Sequence, residues 1–217
     1  KEFEQKAADL RVLGMKISIG QDTVYEKYWD EDCRRNIYSA SKSFTSCAVG
    51  FAVQEGLIDL DERLMDAFKE DIPNNPDENL KKATVKDLLT MTLGQEKGFL
   101  MGKQRPRMEE QNWVKASLAI PFVYEPGTHF VYNNVGPYLA GILVQRRAGC
   151  DLLSYLTPRL LKPLGIRKTI WVVDPEGNTF GAGGLFLTVS ELHKLGMFYL
   201  QNGCWNGKKL LSKEWIH

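Results

Sequence analysis

Tyr38-Ser39-Ala40-Ser41-Lys42-Ser43-Phe44, followed by the apolar run Cys47-Ala48-Val49-Gly50-Phe51-Ala52-Val53, is the stretch whose reading decides the fold. Ser39 and Lys42 stand three residues apart, so a helix opening at Ser39 puts both side chains on one face, about a turn apart. A serine hydroxyl is a weak nucleophile until a base takes its proton, and a lysine amine can do so where its charged form is disfavoured. The run that follows is apolar on nearly every side, which predicts a buried helix. Such a helix points its positive dipole end and free N–H groups at the serine, an arrangement suited to a developing oxyanion. The alternative is that Ser39 is a plain N-cap, a position serine favours. Ser-x-x-Lys alone does not choose between the two.

Working outward, residues 3–12 read as a short amphipathic helix stopped near Gly14. Met15, Ile17 and Ile19 alternate with Lys16 and Ser18, and Thr23–Trp29 is rich in β-formers, so the two segments predict a hairpin with a Gly-containing three-residue loop. Beyond the helix, which should end near Gly56, Thr84 with Asp87 forms a capping-box pattern opening a helix over 85–91. Residues 94–111 predict an exposed loop placed to border a cleft. Helices follow at 113–118, from about 134 to 147, at 151–161 and from about 190 to 201. Thr169–Val173 is β-like, and Gly181-Ala182-Gly183-Gly184 reads as a flexible joint. Strands come early and helices dominate afterwards, so the fold class is α+β rather than alternating βαβ.

Bulk properties narrow the function. The chain has 217 residues, 43% hydrophobic and 25% charged, with 28 basic against 27 acidic residues and a net charge of +1. With no long charge block, nucleic acid and anionic membranes are not natural partners. No apolar run is long enough for a membrane span. Cys33, Cys47, Cys150 and Cys204 are widely spaced without a C-x-x-C pair, which argues against a zinc site; Cys47 should behave as a small apolar residue. No signal-peptide pattern stands at the amino end, and the chain starts at Lys1; the compartment, cytoplasmic or exported, is left open.

A second candidate cluster is Tyr132-Asn133-Asn134, 93 residues after Ser39. A neighbouring ammonium favours a phenolate, so Tyr132 could share base duty with Lys42. Asn134 could offer its amide to a substrate or hold Lys42. The plain alternative is a helix start with ordinary core aromatics. His129 and His193 sit in no triad-like motif and there is no G-x-S-x-G elbow, so a histidine-dependent mechanism is disfavoured.

Seven segments in order resemble the serine β-lactamase and penicillin-binding-protein superfamily: Ser39–Thr45, Gln54–Asp61, Ala83–Thr92, Glu125–Thr128, Tyr132–Asn134, Gly181–Gly184 and Asn206–Ser212. The Tyr-x-Asn motif makes the resemblance closest to the branch of class C β-lactamases, D-alanyl-D-alanine carboxypeptidases and related esterases. It implies an antiparallel sheet covered by helices and joined to a mostly helical part, with residues 1–56 and 182–217 in the former and about 57–181 in the latter, all in one domain. It further implies Ser39 as the acyl-accepting nucleophile, Lys42 as its base, Tyr132 as second proton-transfer group, Asn134 as a substrate and Lys42 contact, and the Ser39 N–H as an oxyanion donor. The substrate would be a β-lactam, a D-Ala-D-Ala peptide or a small ester; no metal or organic cofactor is implied.

Two departures stand out. Nothing after Gly184 matches the family's Lys/His-x-Gly strand, and Thr90-Met91-Thr92-Leu93-Gly94 replaces the usual His-Thr-Ser-Gly. The rival reading is therefore a catalytically silent relative that binds a peptide or cell-wall fragment or serves as a scaffold. The chain is further expected to be C-terminally incomplete. It should expose a sheet edge that a further segment or a partner chain completes, and turn over little by itself.

Overall fold

The computed structural model describes residues 2–217. In chain order the elements are α1 (Glu2–Asp9), β1 (Gly14–Ile19), β2 (Asp22–Tyr28), β3 (Arg35–Asn36), α2 (Ser41–Gln54), α3 (Leu64–Ala67), α4 (Glu78–Lys82), α5 (Val85–Thr90), α6 (Trp113–Leu118), α7 (Val135–Ala148), α8 (Leu152–Leu156), β4 (Phe186–Leu187), α9 (Val189–Leu200), β5 (Cys204–Trp205), β6 (Lys208–Lys209) and α10 (Lys213–Ile216). The α+β class is as the sequence predicts, but the strands are not confined to the start of the chain: β4, β5 and β6 lie beyond residue 185, among the last helices. The strands pair antiparallel throughout, as β1 with β2, β3 with β4 and β5 with β6.

The centre is a pair of helices that are apolar all round. Phe44, Cys47, Ala48, Val49, Phe51 and Ala52 of α2 are buried, as are Tyr138, Leu139, Ile142, Leu143 and Val144 of α7. A helix with no polar face needs cover on every side. Here α7 lies between α2 and α5, with α8 against both α2 and α7. The close approach of α7 to α5 depends on Gly136, where a Cβ would stand 2.2 Å from the Leu88 carbonyl oxygen. Burial pushes the Cys47 thiol up to about 12, so it packs as a small apolar group.

The remaining elements mostly follow their local signals. The Thr84 N–H and hydroxyl both donate to the Asp87 carboxylate at 2.8 Å, fastening the start of α5. The β1–β2 loop is two residues rather than three, because Ile19 pairs with Asp22 and Gly20 takes φ +59°, the left-handed geometry that a tight hairpin needs at its first position. A bulge between Ile17 and Ser18 absorbs the shift in register. The segment 151–161 is interrupted: α8 stops at Leu156 and a wider π turn continues through Thr157–Leu161, with Pro158 in its first turn. Thr169–Val173 forms single bridges, Trp171 to Leu185 and Val173 to Thr179, instead of a continuous strand.

The 181–184 segment differs most from expectation. Gly181, Ala182, Gly183 and Gly184 are all buried, and the segment is a packed wall, not a flexible joint. It is gripped by the first turns of α2. The Thr45 hydroxyl donates to the Gly181 carbonyl at 2.6 Å, and the Leu185 N–H donates to Ser41 Oγ at 3.1 Å. From the other side, Gln145 of α7 accepts the Thr179 N–H at 2.8 Å, and Tyr138 donates to Asp174 at 2.6 Å. The Trp171 indole N–H closes the wall by donating to the carbonyls of Phe180 and Gly183. Gly181 is required here, since a Cβ would lie 2.9 Å from the Pro137 carbonyl oxygen and 3.0 Å from Thr45 Oγ1.

β1 pairs only with β2 among the described residues, and Ile17, Ile19 and Val24 are exposed. On its helix side, β1 packs on α9, where Ser18 Oγ and His193 Nε2 are 2.9 Å apart. His193 thus has a structural partner in Ser18 and does not line the cleft that Ser39 opens on.

Candidate active site

Ser39 is delivered by a sharp turn. After β3 the chain passes through Tyr38 at φ +47°, a left-handed conformation that costs a non-glycine residue about 1–2 kcal/mol. Asn36 offsets part of that strain, its side-chain oxygen accepting the Tyr38 N–H at 2.8 Å. Tyr38–Ala40 then forms a 3-10 turn leading straight into α2. Ser39 is therefore not the cap of α2: Ala40 holds that position and no side chain caps it. The serine is left exposed, its hydroxyl free for other partners.

Those partners are the residues that the sequence singles out. Lys42 Nζ donates to Ser39 Oγ at 3.0 Å and to Asn134 Oδ1 at 2.8 Å. The Tyr132 hydroxyl donates to Ser39 Oγ at 2.7 Å. All four residues, Ser39, Lys42, Tyr132 and Asn134, thus meet in one cluster, although 92 residues separate Lys42 from Asn134. Of the neighbouring serines, Ser41 is turned inward to Leu185, so Ser39 alone in this turn faces both Lys42 and Tyr132.

One member of the cluster has no side-chain signature. Lys42 gives its remaining proton to the Ala182 carbonyl at 2.7 Å. A backbone oxygen can come from any residue type, which is why the sequence marks 181–184 as a segment but does not point to Ala182 as a partner of Lys42. Asn134 is held in turn, its amide donating to the Leu100 carbonyl at 2.9 Å, so the 94–111 loop is pinned at the cleft as well as bordering it. Leu100 and Gln95 are buried, which makes this loop less exposed than its composition suggests. Arg105 was not foreseen; its place among mixed Gly, Lys, Arg and Pro residues gave no periodicity to mark it.

The cluster opens on a cleft of about 400 Å³ lined by Asn36, Tyr38, Met101, Arg105, Val172 and Phe180 among others. Burial lowers the Lys42 ammonium from its ordinary value, the Tyr132 hydroxyl opposes that shift, and the Arg105 charge adds to it. Burial alone would raise the Tyr132 phenol, but its hydrogen bond with Ser39 and the nearby Lys42 charge outweigh that, and the net shift is downward. A lysine easier to deprotonate beside a tyrosine easier to ionise makes a pair able to hold or pass one proton next to a hydroxyl.

The neutral amine of Lys42 has a defined geometry here. Its two N–H groups would be taken by Asn134 Oδ1 and the Ala182 carbonyl, so its lone pair would point at Ser39 Oγ.

The backbone matches solved structures closely. A Bacillus anthracis protein provisionally named a 6-aminohexanoate-dimer hydrolase superposes with a TM-score of 0.83 at 21% identity, over 97% of this chain and 60% of that one. The octameric penicillin-binding protein homologue from Pyrococcus abyssi gives 0.74 at 22% identity, over 99% of this chain and 57% of that one. The fold is thus of the β-lactamase and transpeptidase type. The Beta-lactamase family model matches residues 1–215, and the chain belongs to that family. Among curated relatives, monacolin J acid methylbutanoyltransferase of Aspergillus terreus is 31% identical over 157 residues, 63% of this chain and 37% of that protein. Lovastatin esterase of Penicillium rubens is 31% identical over 150 residues, 59% of this chain and 37% of that protein. The chain therefore spans well under half the length of these curated relatives. Among the described residues no helix is long and apolar enough to cross a membrane.

Proposed function

We propose that this chain carries the nucleophilic centre of a serine hydrolase or acyltransferase that works through an acyl-enzyme on an ester or amide. The observation that carries the reading is the convergence of Lys42 and Tyr132 on one hydroxyl, Ser39 Oγ, at 3.0 and 2.7 Å. The names of the relatives, an acyltransferase and an esterase, support acyl transfer as the common chemistry. In this reading residues 1–56 and 182–217 furnish the side of the cleft bearing Ser39, and the mostly helical part, about 57–181, furnishes the side bearing Tyr132.

Ser39 Oγ gives its proton to the Lys42–Tyr132 pair as it attacks the substrate carbonyl carbon. The carbonyl oxygen becomes an oxyanion beside the Ser39 N–H, in the opening turn whose amides lack intrahelical acceptors. Collapse of this tetrahedral species breaks the bond to the leaving alcohol or amine, which takes the proton from the pair. Water, or a second alcohol, then repeats the sequence in reverse on the acyl-Ser39 ester, with the same pair removing its proton. Asn134 and the Ala182 carbonyl keep Lys42 aimed throughout.

The test is covalent labelling of the intact chain with a fluorophosphonate, read by mass spectrometry of the digest. One adduct on the peptide containing Ser39, abolished by Ser39→Ala, is the expected result. Labelling that persists in Ser39→Ala, or an intact chain that takes no label, overturns the reading and favours a silent binding relative.

A further inference from the structure

Arg105 stands out in the same cleft. It opens the short 3-10 turn Arg105–Arg107, and its guanidinium carbon lies 4.5 Å above the Phe180 ring. Its Nε is buried with no hydrogen-bond partner, one of very few such side-chain atoms among the described residues. Buried donors are normally satisfied, and an orphan asks for an explanation. The other two half-buried arginines have theirs: Arg35 pairs with Asp30 at 2.6 Å and Arg159 with Glu55 at 2.7 Å. Arg105 has no ion pair among the described residues, and no aspartate or glutamate lines its cleft.

The cleft is therefore lined by one cationic side chain, Arg105, and no anion, with the Lys42 amine reaching it through Ser39. Lys42 already spends its donors on Ser39, Asn134 and Ala182. Arg105 does not. Its guanidinium carbon sits over the Phe180 ring, and a guanidinium presents a flat fork of donors that matches a carboxylate in two parallel hydrogen bonds. The loop beneath is braced: the Met101 N–H donates to Gln104 Oε1 at 2.9 Å, and the Arg105 N–H donates to the Met101 carbonyl. Burial lowers the Arg105 guanidinium from its ordinary value, as expected of a cation stripped of water and given no counter-charge.

From the unpaired Arg105 guanidinium over Phe180 beside Ser39, we infer that the acyl group accepted by Ser39 carries a carboxylate, which Arg105 binds and orients. The inference rests on the acyl-enzyme reading above and adds the substrate class. Arg105 is a specificity residue: it would favour an anionic acyl donor over its neutral isostere.

The experiment uses residues 1–217 and a matched pair of donors, mono-p-nitrophenyl glutarate and its methyl ester, which differ in one negative charge. The readout is the ratio of their second-order rates of p-nitrophenolate release, in the wild type, Arg105→Gln and Arg105→Lys. One charge-assisted bidentate contact makes the wild-type ratio about 10 to 100 in favour of the anion. Arg105→Gln should bring the ratio to near one, and Arg105→Lys should restore part of it, as a point charge without the fork. A general disturbance of the site would lower both rates and leave the ratio in place, and that outcome overturns the inference. So does a wild-type ratio near one.

Fluorophosphonate labelling of Ser39 is run alongside, because it reports on the serine chemistry with no carboxylate involved. If it labels and the ratio is flat, only the Arg105 assignment falls. If it fails to label, glutarate titration followed by NMR still tests Arg105. Binding weakened about tenfold or more by Arg105→Gln supports the inference, and binding that is absent or indifferent to the substitution overturns it.

Discussion

The two ends of α2 and the β1–β2 hairpin were equally readable in the sequence, yet they have opposite characters in the molecule. Around α2, polar groups are interlocked. Ser41, Lys42 and Thr45 each hold the 181–185 wall, and Tyr138 and Gln145 hold the 174–179 segment that leads into it. On the hairpin, β1 has one strand partner and the side chains of Ile17, Ile19 and Val24 stand in solvent. The difference teaches that precision in this molecule is concentrated where buried polar groups are all satisfied by one another. A half-satisfied buried network is costly, so it fixes geometry tightly. An exposed strand edge fixes little.

The largest effect should come from breaking the interlocked side at its chemistry. Tyr132→Phe keeps the ring and removes the hydroxyl that reaches Ser39, so the rate of Ser39 acylation should fall by roughly 10²- to 10⁴-fold. The thermal midpoint should barely move, because Tyr132 is 44% exposed. Full reactivity in this variant would reduce the Phe130–Asn134 segment to a helix start.

The same pair predicts a pH profile. In the proposed mechanism the reactive form has Lys42 deprotonated, and its ordinary value is lowered, so acylation should rise with pH and level off below the range of a free lysine near 10.5. The apparent value belongs to the Lys42–Tyr132 pair. Tyr132 raises the Lys42 value while burial lowers it. Tyr132→Phe should therefore move the rising limb to lower pH, and a limb that stays in place would show the two groups to be uncoupled.

Next come changes that attack packing. Gly136→Ala forces a Cβ to within 2.2 Å of the Leu88 carbonyl oxygen, which backbone can relieve only by separating α7 from α5. A loss of about 3 kcal/mol is expected by denaturant unfolding, the upper end for overpacking. Tyr138→Phe leaves the buried Asp174 carboxylate short of one donor, since the Tyr138 hydroxyl reaches it at 2.6 Å. About 2 kcal/mol should be lost, and labelling of Ser39 should slow as the wall loosens. A variant as stable as the wild type would show the wall to be held elsewhere.

The smallest effect belongs to the hairpin. Ile19→Thr, at a side chain 72% exposed, should change stability by no more than about 0.5 kcal/mol. A large loss there would contradict the contrast drawn above and show the hairpin to be as tightly determined as α2.

By itself the sequence determined what is local or periodic. The i, i+3 spacing of Ser39 and Lys42, the all-round apolar run to Ala52, the Thr84–Asp87 cap and the alternation of Met15, Ile17 and Ile19 each follow from backbone geometry over a few residues. The Tyr-x-Asn cluster was visible as a candidate because its chemistry complements a serine and a lysine. What only the tertiary structure decided is which distant groups complete the site. The Ala182 carbonyl that aims Lys42, the Leu100 carbonyl that aims Asn134, and the orphaned Arg105 over Phe180 leave no mark in a residue pattern. Two are backbone oxygens, which every residue possesses. The third is defined by partners it lacks, and a missing partner exists only once the chain has packed.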